Sequence, residues 1–326
     1  MAANYTGPGT ATDPTDLLKN QILPWLVAQG WTTDKSQADG AGWRVHIHKG
    51  AQYVHFRSVV NETSGIWGGG QYGGASICYG IAMYASTGYN GALAWNLQTG
   101  GPIGNGGSNT VGVGMTLPVG AVTSTHFFDD GADNIMIVVE RSSGIFTHLG
   151  WGNAAGIGTA VTPFFLGSNS GYYAFCYNSG EGFTTSSLCP GSTADAFAGV
   201  DLFIKKDIDA FTGKWIGCST VTGAAQGHTG KKGSTSVAGG ATAPPASIPT
   251  FAGLSARSVS SYNGQPALLP LTVYVERDAG GYSQVCVLPS VWRCAAVAAG
   301  FAAKSVYAVG AKNYMLFPNF AVLKGS

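Results

Sequence analysis

The chain has 326 residues, of which 10% are charged, and its formal net charge at pH 7 is +1. This length allows two or three domains or one large β structure, and so weak a charge excludes the strong electrostatic field with which proteins bind nucleic acid or anionic lipid. The low charge indicates either a surface rich in small polar residues or a surface covered by neighbouring subunits, because contact centres are depleted in charge. We favour the second interpretation.

Glycine and the large hydrophobic residues dominate the composition. Glycine accounts for 50 residues and hydrophobic residues for 45% of the chain, which is too apolar for a disordered protein and typical of many short strands with tight turns. Residues 1–12 lack the basic and apolar regions of a secretory signal, and no apolar run is long enough to span a membrane. We therefore expect a chain made in the cytoplasm, with no signal peptide and no membrane span.

One helix is predicted near the start, over DPTDLLKNQILPWLVAQGW. Asp13 is a good N-cap, and Pro14 suits the first helical position. Pro24 should kink or end the helix because it has no backbone N–H, and Gly30 suits the C-terminal cap. The apolar stripe of this helix comprises Leu17, Leu18, Ile22, Trp25 and Leu26.

A histidine-rich hairpin follows at WRVHIHKGAQYVHFRS, residues 43–58. Alternating apolar and polar residues on both sides of KGAQ predict two half-buried strands. The turn is either Lys49-Gly50 or the four residues from Lys49 to Gln52, and the second choice places His46 opposite His55. The predicted apolar face comprises Val45, Ile47, Val54 and Phe56.

The opposite face of the hairpin raises the question of a metal site. Three of the six histidines, His46, His48 and His55, lie on this face, and neutral imidazole is a common zinc ligand. Arg44 and Arg57 share the face and oppose a bound cation, and the hairpin has no Asp or Glu to orient an imidazole. We predict no metal site, keep the three histidines as weak candidate ligands, and interpret the face as solvated or as a subunit contact. In a contact, assembly would weaken near the imidazole pKa of about 6.5.

The next segment is rich in glycine and aromatic residues. A G-x-G-x-x-G match occurs at Gly68, Gly70 and Gly73. A dinucleotide-binding motif must follow a strand and open a helix, and in a segment this rich in glycine the match is close to chance. Residues 77–84 are predicted to form a buried strand. The aromatic residues of this region are interpreted as packing residues rather than a sugar-binding shelf; they are Trp67, Tyr72, Tyr84, Tyr89 and Trp95.

Strands and turns account for most of the remaining chain. Residues 122–152 predict an antiparallel meander whose central strand is buried on both faces, and TPFFL and GYYAFCYN predict further strands. Residues 223–249 have almost no large apolar residue and predict a loop or insert. ALLPLTVYVER, YSQVCVLPSVWRC and YMLFPNFAVL predict three C-terminal strands.

These patterns predict a mainly β protein with antiparallel sheets or a sandwich and one N-terminal helix. We divide it into residues 1–120, 121–222, the insert 223–249 and a C-terminal region 250–326 that completes the same β structure.

The sequence contains no motif for a catalytic or cofactor site. A G-x-S-x-G elbow, an H-E-x-x-H pair and a P-loop are all absent, so we predict no catalytic residues and no cofactor. The cysteines show no C-x-x-C spacing, which leaves buried thiols or disulfides formed after release from a cell as alternatives. They are Cys78, Cys176, Cys189, Cys218, Cys286 and Cys294.

One stretch, THFFDDGADNIMIVVERSSGIFTHLGWGNAAGIG, resembles a block in the structural proteins of tailed bacteriophages. That block has two aromatics ending a strand, here Phe127 and Phe128, then a D-x-I-x-V-V-x-E strand and an F-x-H-L-x-x-G strand. IAMYASTGYNGALAWNLQTG upstream and the C-terminal strands are similar to other parts of such proteins, although Cys286 stands where the related pattern often has glycine. The resemblance covers about residues 15–326 and implies a virion component, without catalytic residues.

We therefore expect a non-enzymatic structural subunit of a phage tail or baseplate, with the neck as a further location. It would form a ring or other symmetric oligomer with itself and contact neighbouring virion proteins, without binding specific nucleic acid. One alternative is a receptor- or carbohydrate-binding module of the virion. The other is a metal-dependent cell-wall hydrolase using His46, His48 and His55.

Overall fold

The structure is a computed structural model, and most of its regular elements are β-strands. It describes residues 3–62, 78–102, 112–117, 120–156, 161–170, 202–205, 215–219, 233–237, 261–262, 265–266, 268–276, 282–294, 300–318 and 320–325. The predicted fold class, mainly β with antiparallel sheets and one N-terminal helix, is confirmed. Among the described helical segments, none has the length and apolar character needed to cross a membrane.

The N-terminal helix begins at the predicted cap. The side chain of Asp13 accepts hydrogen bonds from the backbone N–H groups of Thr15 and Asp16, at 2.7 and 2.8 Å. Pro24 does not end the helix; a π-helical stretch precedes it and the α-helical pattern then resumes. The segments are α1 (Pro14–Asp16), the π-helical stretch (Leu17–Ile22) and α2 (Leu23–Ala28).

The helix ends in a Schellman motif. Gly30, with a φ of +85°, donates its N–H to the carbonyl of Val27 at 2.9 Å. The N–H of Trp31 donates to the carbonyl of Leu26 at 3.0 Å. Glycine suits this position because the left-handed conformation carries no Cβ penalty there. All five residues of the predicted apolar stripe are buried.

The strands run along nearly the whole described chain. In order they are β1 (Asn4–Ala11), β2 (Thr32–Asp39), β3 (Gly42–Lys49), β4 (Gln52–Glu62), β5 (Cys78–Ser86), β6 (Val113–Thr116), β7 (Val122–Asp129), β8 (Ile135–Ser142), β9 (Ile145–Gly156), β10 (Thr162–Gly167), β11 (Asn169–Ser170), β12 (Leu202–Lys205), β13 (Trp215–Ser219), β14 (Gly233–Val237), β15 (Ser261–Tyr262), β16 (Gln265–Pro266), β17 (Leu269–Glu276), β18 (Tyr282–Arg293), β19 (Val306–Val309), β20 (Lys312–Leu316) and β21 (Phe320–Gly325).

These strands form two large sheets and a small pair. The 13-stranded sheet has the order β1-β7-β8-β9-β10-β12-β13-β14-β17-β18-β21-β20-β19. The 6-stranded sheet has the order β11-β6-β5-β4-β3-β2, and β15 pairs with β16. The larger sheet also closes on itself, because β9 pairs with β18 at Gly156–Cys286 and Ala155–Val287. Strands β9, β10, β12, β13, β14, β17 and β18 therefore form a closed ring.

Two hydrophobic cores lie on opposite faces of β8. Ile135, Ile137 and Val139 belong to a core shared with the helix and the inner face of the 6-stranded sheet. Met136 and Val138 belong to a second core with the C-terminal strands. The prediction that the central strand of the meander is buried on both faces is confirmed, and the two sheets pack face to face like the layers of a sandwich.

Two sequence predictions differ from the structure. Residues 233–237 of the predicted insert form β14, which pairs with β13 on one side and β17 on the other; the remainder of 223–249 lies outside the described residues. The stretch YMLFPNFAVL forms two strands, β20 and β21, instead of one. Pro318 stands between them, where a missing N–H interrupts a strand ladder.

Candidate functional site

The histidine hairpin has the second of the two predicted registers. Lys49 pairs with Gln52, the turn is Gly50-Ala51, and His46 lies opposite His55. The predicted apolar face, Val45, Ile47, Val54 and Phe56, is buried in the first core.

The histidines on the other face are not solvated as a group. His46 and His55 are 2% and 0% exposed. Tyr89, in the segment after β5, covers His46 with its ring centroid at 4.8 Å, and Tyr84 lies 5.8 Å from His55. The interpretation as a solvated face or a subunit contact is therefore wrong for these two side chains, because later parts of the same chain bury them. The hypothesis of pH-dependent assembly through this pair loses its basis.

A chain of hydrogen bonds fixes the tautomers of the pair. Ser86 Oγ lies 2.8 Å from the carbonyl oxygen of Gly88, which can only accept, so the hydroxyl donates there. Ser86 Oγ must then accept from His55 Nε2–H, at 2.7 Å. His55 Nδ1 is consequently the acceptor, and His46 Nδ1–H donates to it at 2.8 Å.

Both imidazoles are held in the neutral form. Burial lowers the pKa of His46 to about 4, and Arg44 and Lys35 lower it further than Asp39 raises it. Burial, followed by the neighbouring His46, lowers the pKa of His55 well below its ordinary value. The geometry and the pKa values agree, because a protonated His55 would lose its acceptor atom for His46.

His48 has a different environment from the pair. Its Nδ1 lies 2.9 Å from both carboxylate oxygens of Asp34, and its ring stacks on Tyr53 at 5.1 Å. Asp34 belongs to β2, outside the hairpin, so the hairpin sequence alone did not reveal this orienting carboxylate. The three candidate ligands do not converge, and within the described residues no three His, Cys, Asp or Glu side chains are arranged to hold a metal ion.

A second polar cluster lies beside β1 and β7. His126 Nδ1 lies 2.9 Å from the hydroxyl of Tyr5, and its Nε2 lies 2.8 Å from Ser124 Oγ. These side chains line a cavity of about 430 Å³ together with Glu140 and Lys304, whose charged groups are 2.6 Å apart. The sequence signal was the S-x-H spacing on one strand, which places both side chains on the same face.

The Ser124–His126 distance is that of a nucleophile and its base, but the surroundings do not suit acyl transfer. A hydrolytic histidine must become an imidazolium, which a carboxylate on its other nitrogen stabilises. In this cluster the other ring nitrogen, Nδ1 of His126, lies beside the hydroxyl of Tyr5 and not beside a carboxylate. Burial raises the pKa of Tyr5, so this hydroxyl stays uncharged. Burial and then Lys304 lower the pKa of His126 to about 4, so the imidazolium is disfavoured.

The edges of the sheets differ in how they are protected. The edge strand β1 contains Pro8, and the edge strand β2 carries Asp34, Lys35 and Asp39; proline and charges both oppose pairing with another chain. The edge strand β19, VYAV, has neither. It pairs only with β20 in the part of the chain that the structure describes, and its Val306 and Val309 are 49% and 46% exposed.

No protein-family model matches this chain, and no curated protein matches its sequence.

The aromatic residues bear on the sugar-binding alternative. Tyr84, Trp95 and Trp151 are buried, and Trp292 is half-buried with its ring 4.7 Å from that of Tyr314. Trp67, Tyr72 and the three glycines of the G-x-G-x-x-G match lie outside the described residues. These four side chains do not form an exposed aromatic shelf.

The cysteines can be placed only in part. Cys286 and Cys294 are buried, while Cys176 and Cys189 lie outside the described residues. Cys78 belongs to β5 and Cys218 to β13, and their bonding state stays a prediction.

Proposed function

We propose that this chain is a non-enzymatic structural subunit of a tailed-phage virion, in the tail or baseplate, that assembles with copies of itself and with neighbouring virion proteins. The observation that carries the proposal is the edge strand β19. It is a short edge strand without proline or charge, and its Val306 and Val309 are exposed; an apolar edge of this kind allows a strand of another subunit to extend the sheet.

Three further observations support assembly over catalysis. The segments that resemble phage structural proteins form β7, β8 and β9, which separate the two cores and so belong to the framework of the molecule. The Nδ1 of His126 meets the hydroxyl of Tyr5 and not a carboxylate, and Glu140 raises the pKa of His126 less than burial and Lys304 lower it. The chain has few charges, as expected where neighbours cover the surface.

Both alternatives have less support from the described residues. A sugar-binding shelf needs solvent-exposed aromatic rings, whereas Trp95 and Trp151 are 6% and 1% exposed. A zinc hydrolase needs converging ligands, whereas His48 is turned towards Asp34 and His46 is bonded to His55.

The first test is the mass of the purified chain in solution, measured by light scattering after size exclusion at two concentrations. We expect a closed oligomer or a concentration-dependent assembly. The double substitution Val306→Lys and Val309→Lys should shift the chain to monomer, because lysine on an edge strand opposes pairing. Val161→Lys is the matched control, since Val161 is 63% exposed and lies away from β19.

A wild-type chain that is monomeric at both concentrations would contradict self-assembly, as would an oligomer that the two β19 substitutions leave intact. If only Val161→Lys dissociated the oligomer, the subunit contact would lie near Val161 and not at β19.

A further inference from the structure

The segment after β5 contains the dipeptide Asn90-Gly91 in a tight turn. Both residues are exposed, and the N–H of Leu93 donates to the carbonyl of Asn90 at 3.1 Å. Elsewhere in the chain an asparagine precedes glycine only at Asn105 and Asn263, which lie outside the described residues. Within the described part of the chain, Asn90 is therefore the one asparagine whose next residue has no side chain.

The side chain of Asn90 is folded back over the following peptide group. Its Oδ1 accepts a hydrogen bond from the N–H of Ala92 at 3.0 Å, which is the arrangement of an Asx turn. Because this bond spans the peptide of Gly91, it keeps the side-chain carbonyl carbon of Asn90, Cγ, near the Gly91 nitrogen, and such proximity lowers the barrier to an intramolecular reaction. The same hydrogen bond draws electron density from Cγ and makes it a better electrophile.

The backbone nitrogen of Gly91 is the nucleophile within reach of Cγ. Among the described residues its N–H has no hydrogen-bond acceptor, and glycine carries no Cβ that would crowd the attack. Since Asn90 and Gly91 are both exposed, water and hydroxide reach the reacting atoms.

The same turn contacts the cover of the histidine pair. The ring of Tyr89 packs on His46 with the centroids 4.8 Å apart. The Tyr89 hydroxyl lies beside Gly91, so close that a Cβ at Gly91 would be 3.1 Å from it. Tyr89 therefore connects the Asn90-Gly91 peptide with the buried imidazole of His46.

We propose that Asn90 is a site of spontaneous deamidation whose isoaspartyl product uncovers His46. The Gly91 nitrogen gives its proton to hydroxide and attacks Cγ; the N–Cγ bond forms, the Cγ–Nδ2 bond breaks, and Nδ2 takes a proton from water and leaves as ammonia. Water then opens the succinimide ring. Cleavage of the N–Cγ bond gives aspartate, whereas cleavage at the main-chain carbonyl gives isoaspartate.

Isoaspartate lengthens the main chain by one carbon between Asn90 and Gly91, which displaces Gly91 from the Tyr89 hydroxyl. The ring of Tyr89 then loses the support that holds it over His46. This modification site is independent of the structural role proposed above.

The test is peptide mapping of the full folded chain by mass spectrometry, after incubation at neutral and at mildly alkaline pH. We expect deamidation at Asn90 to be at least about tenfold faster than at Asn96 of the same segment. The nitrogen that would attack there belongs to Leu97, which has a side chain and donates its N–H to the carbonyl of Ala94 at 3.1 Å. The rate at Asn90 should rise with pH, because base generates the attacking nitrogen, and isoaspartate should be among the products.

The variant Asn90→Gln is the matched control for the reaction. It keeps an amide, but closure of the larger glutarimide ring is much slower, so the incubated variant should keep its charge. Deamidation of Asn90 in the wild type lowers the formal net charge from +1 to zero, which allows ion exchange to isolate the product.

Diethyl pyrocarbonate, which modifies accessible neutral imidazoles, measures the exposure of His46. His46 is 2% exposed in the intact chain and should react only in the isolated isoaspartyl form. The side chain of His48 is 28% exposed and should react in both forms. Asn90→Asp carries the new charge on an ordinary main chain and should leave His46 protected.

Two sets of results would overturn the inference. Deamidation at Asn90 no faster than at Asn96, or aspartate formed without isoaspartate, would exclude ring closure by the Gly91 nitrogen. An isoaspartyl form in which His46 stays as unreactive as in the intact chain would show that the turn does not hold Tyr89 in place.

Discussion

Two imidazole rings meet inside the chain, with their Nδ1 atoms 2.8 Å apart. The alternation of the hairpin predicted that His46 and His55 share one face, and one of the two turns left open placed them opposite each other; the structure has the register of that turn. The alternation could not predict their burial, since the covering Tyr89 belongs to an irregular segment with no periodic pattern. The pair is a polar network in which each hydrogen bond determines the next.

The first prediction concerns the tautomers of this pair. Nitrogen NMR of the imidazoles at about pH 7 should show a proton on Nδ1 of His46 and on Nε2 of His55, because Ser86 already donates to Gly88 and the lowered pKa values keep both rings neutral. Ser86→Ala removes the fixed acceptor and should change the His55 signals. An Nε2-protonated His46, or a charged ring, would contradict this assignment.

Short-range signals predicted the elements well. The N-cap, the apolar stripe and the glycine at the C-terminus of the helix were all predicted, because each depends on residues a few positions apart. The split of YMLFPNFAVL at Pro318 and the strand β14 were missed. The sequence of β14, GSTSV, has little apolar character, and its place in the sheet comes from its partners β13 and β17, which lie elsewhere in the sequence.

The helix cap gives the second prediction. Asp13→Ala should lower the free energy of unfolding by about 0.5–2 kcal/mol, because the N–H groups of Thr15 and Asp16 lose their acceptor. Asp13→Asn is the control, since its side-chain oxygen still accepts, and it should lie close to the wild type. Chemical unfolding at neutral pH measures both; an equal loss in the two variants would show that charge, and not capping, matters.

At the scale of the whole molecule, several histidines are buried without charge. His148 is the extreme case: burial lowers its pKa to about 3, and within the described part of the chain neither ring nitrogen has a hydrogen-bond partner. His46 and His126 have pKa values lowered to about 4, and His55 is lowered as well. Protonation of these four side chains is therefore disfavoured in the folded chain but not in the unfolded chain.

The third prediction is a loss of stability in mild acid. The unfolded histidines bind protons below about pH 6.5, whereas the folded ones do so only near pH 4 or lower. Between those limits the unfolded state binds more protons than the folded state. The free energy of unfolding is therefore highest, as far as these histidines determine it, above about pH 6.5, and it falls as the pH is lowered towards 4. Each histidine contributes up to about 1.4 kcal/mol per pH unit.

His148→Phe tests the contribution of one group. The variant should reduce the slope of stability against pH by up to about 1.4 kcal/mol per pH unit, because its apolar ring still packs against Phe320 and binds no proton. Urea unfolding at about pH 7, 6 and 5 measures the slope. An unchanged slope would mean that His148 is not buried as described, and a pH-independent wild type would contradict the account for all four histidines.

The sequence by itself determined the fold class, the helix with its caps, the meander and the two strands of the hairpin. Each of these follows from periodicity and capping among residues close in the chain. Only the tertiary structure decided that β9 pairs with β18 to close a ring, that Asp34 orients His48, and that Tyr89 covers His46. Those arrangements join residues far apart in sequence, and their energy depends on which surfaces meet, so no local pattern encodes them.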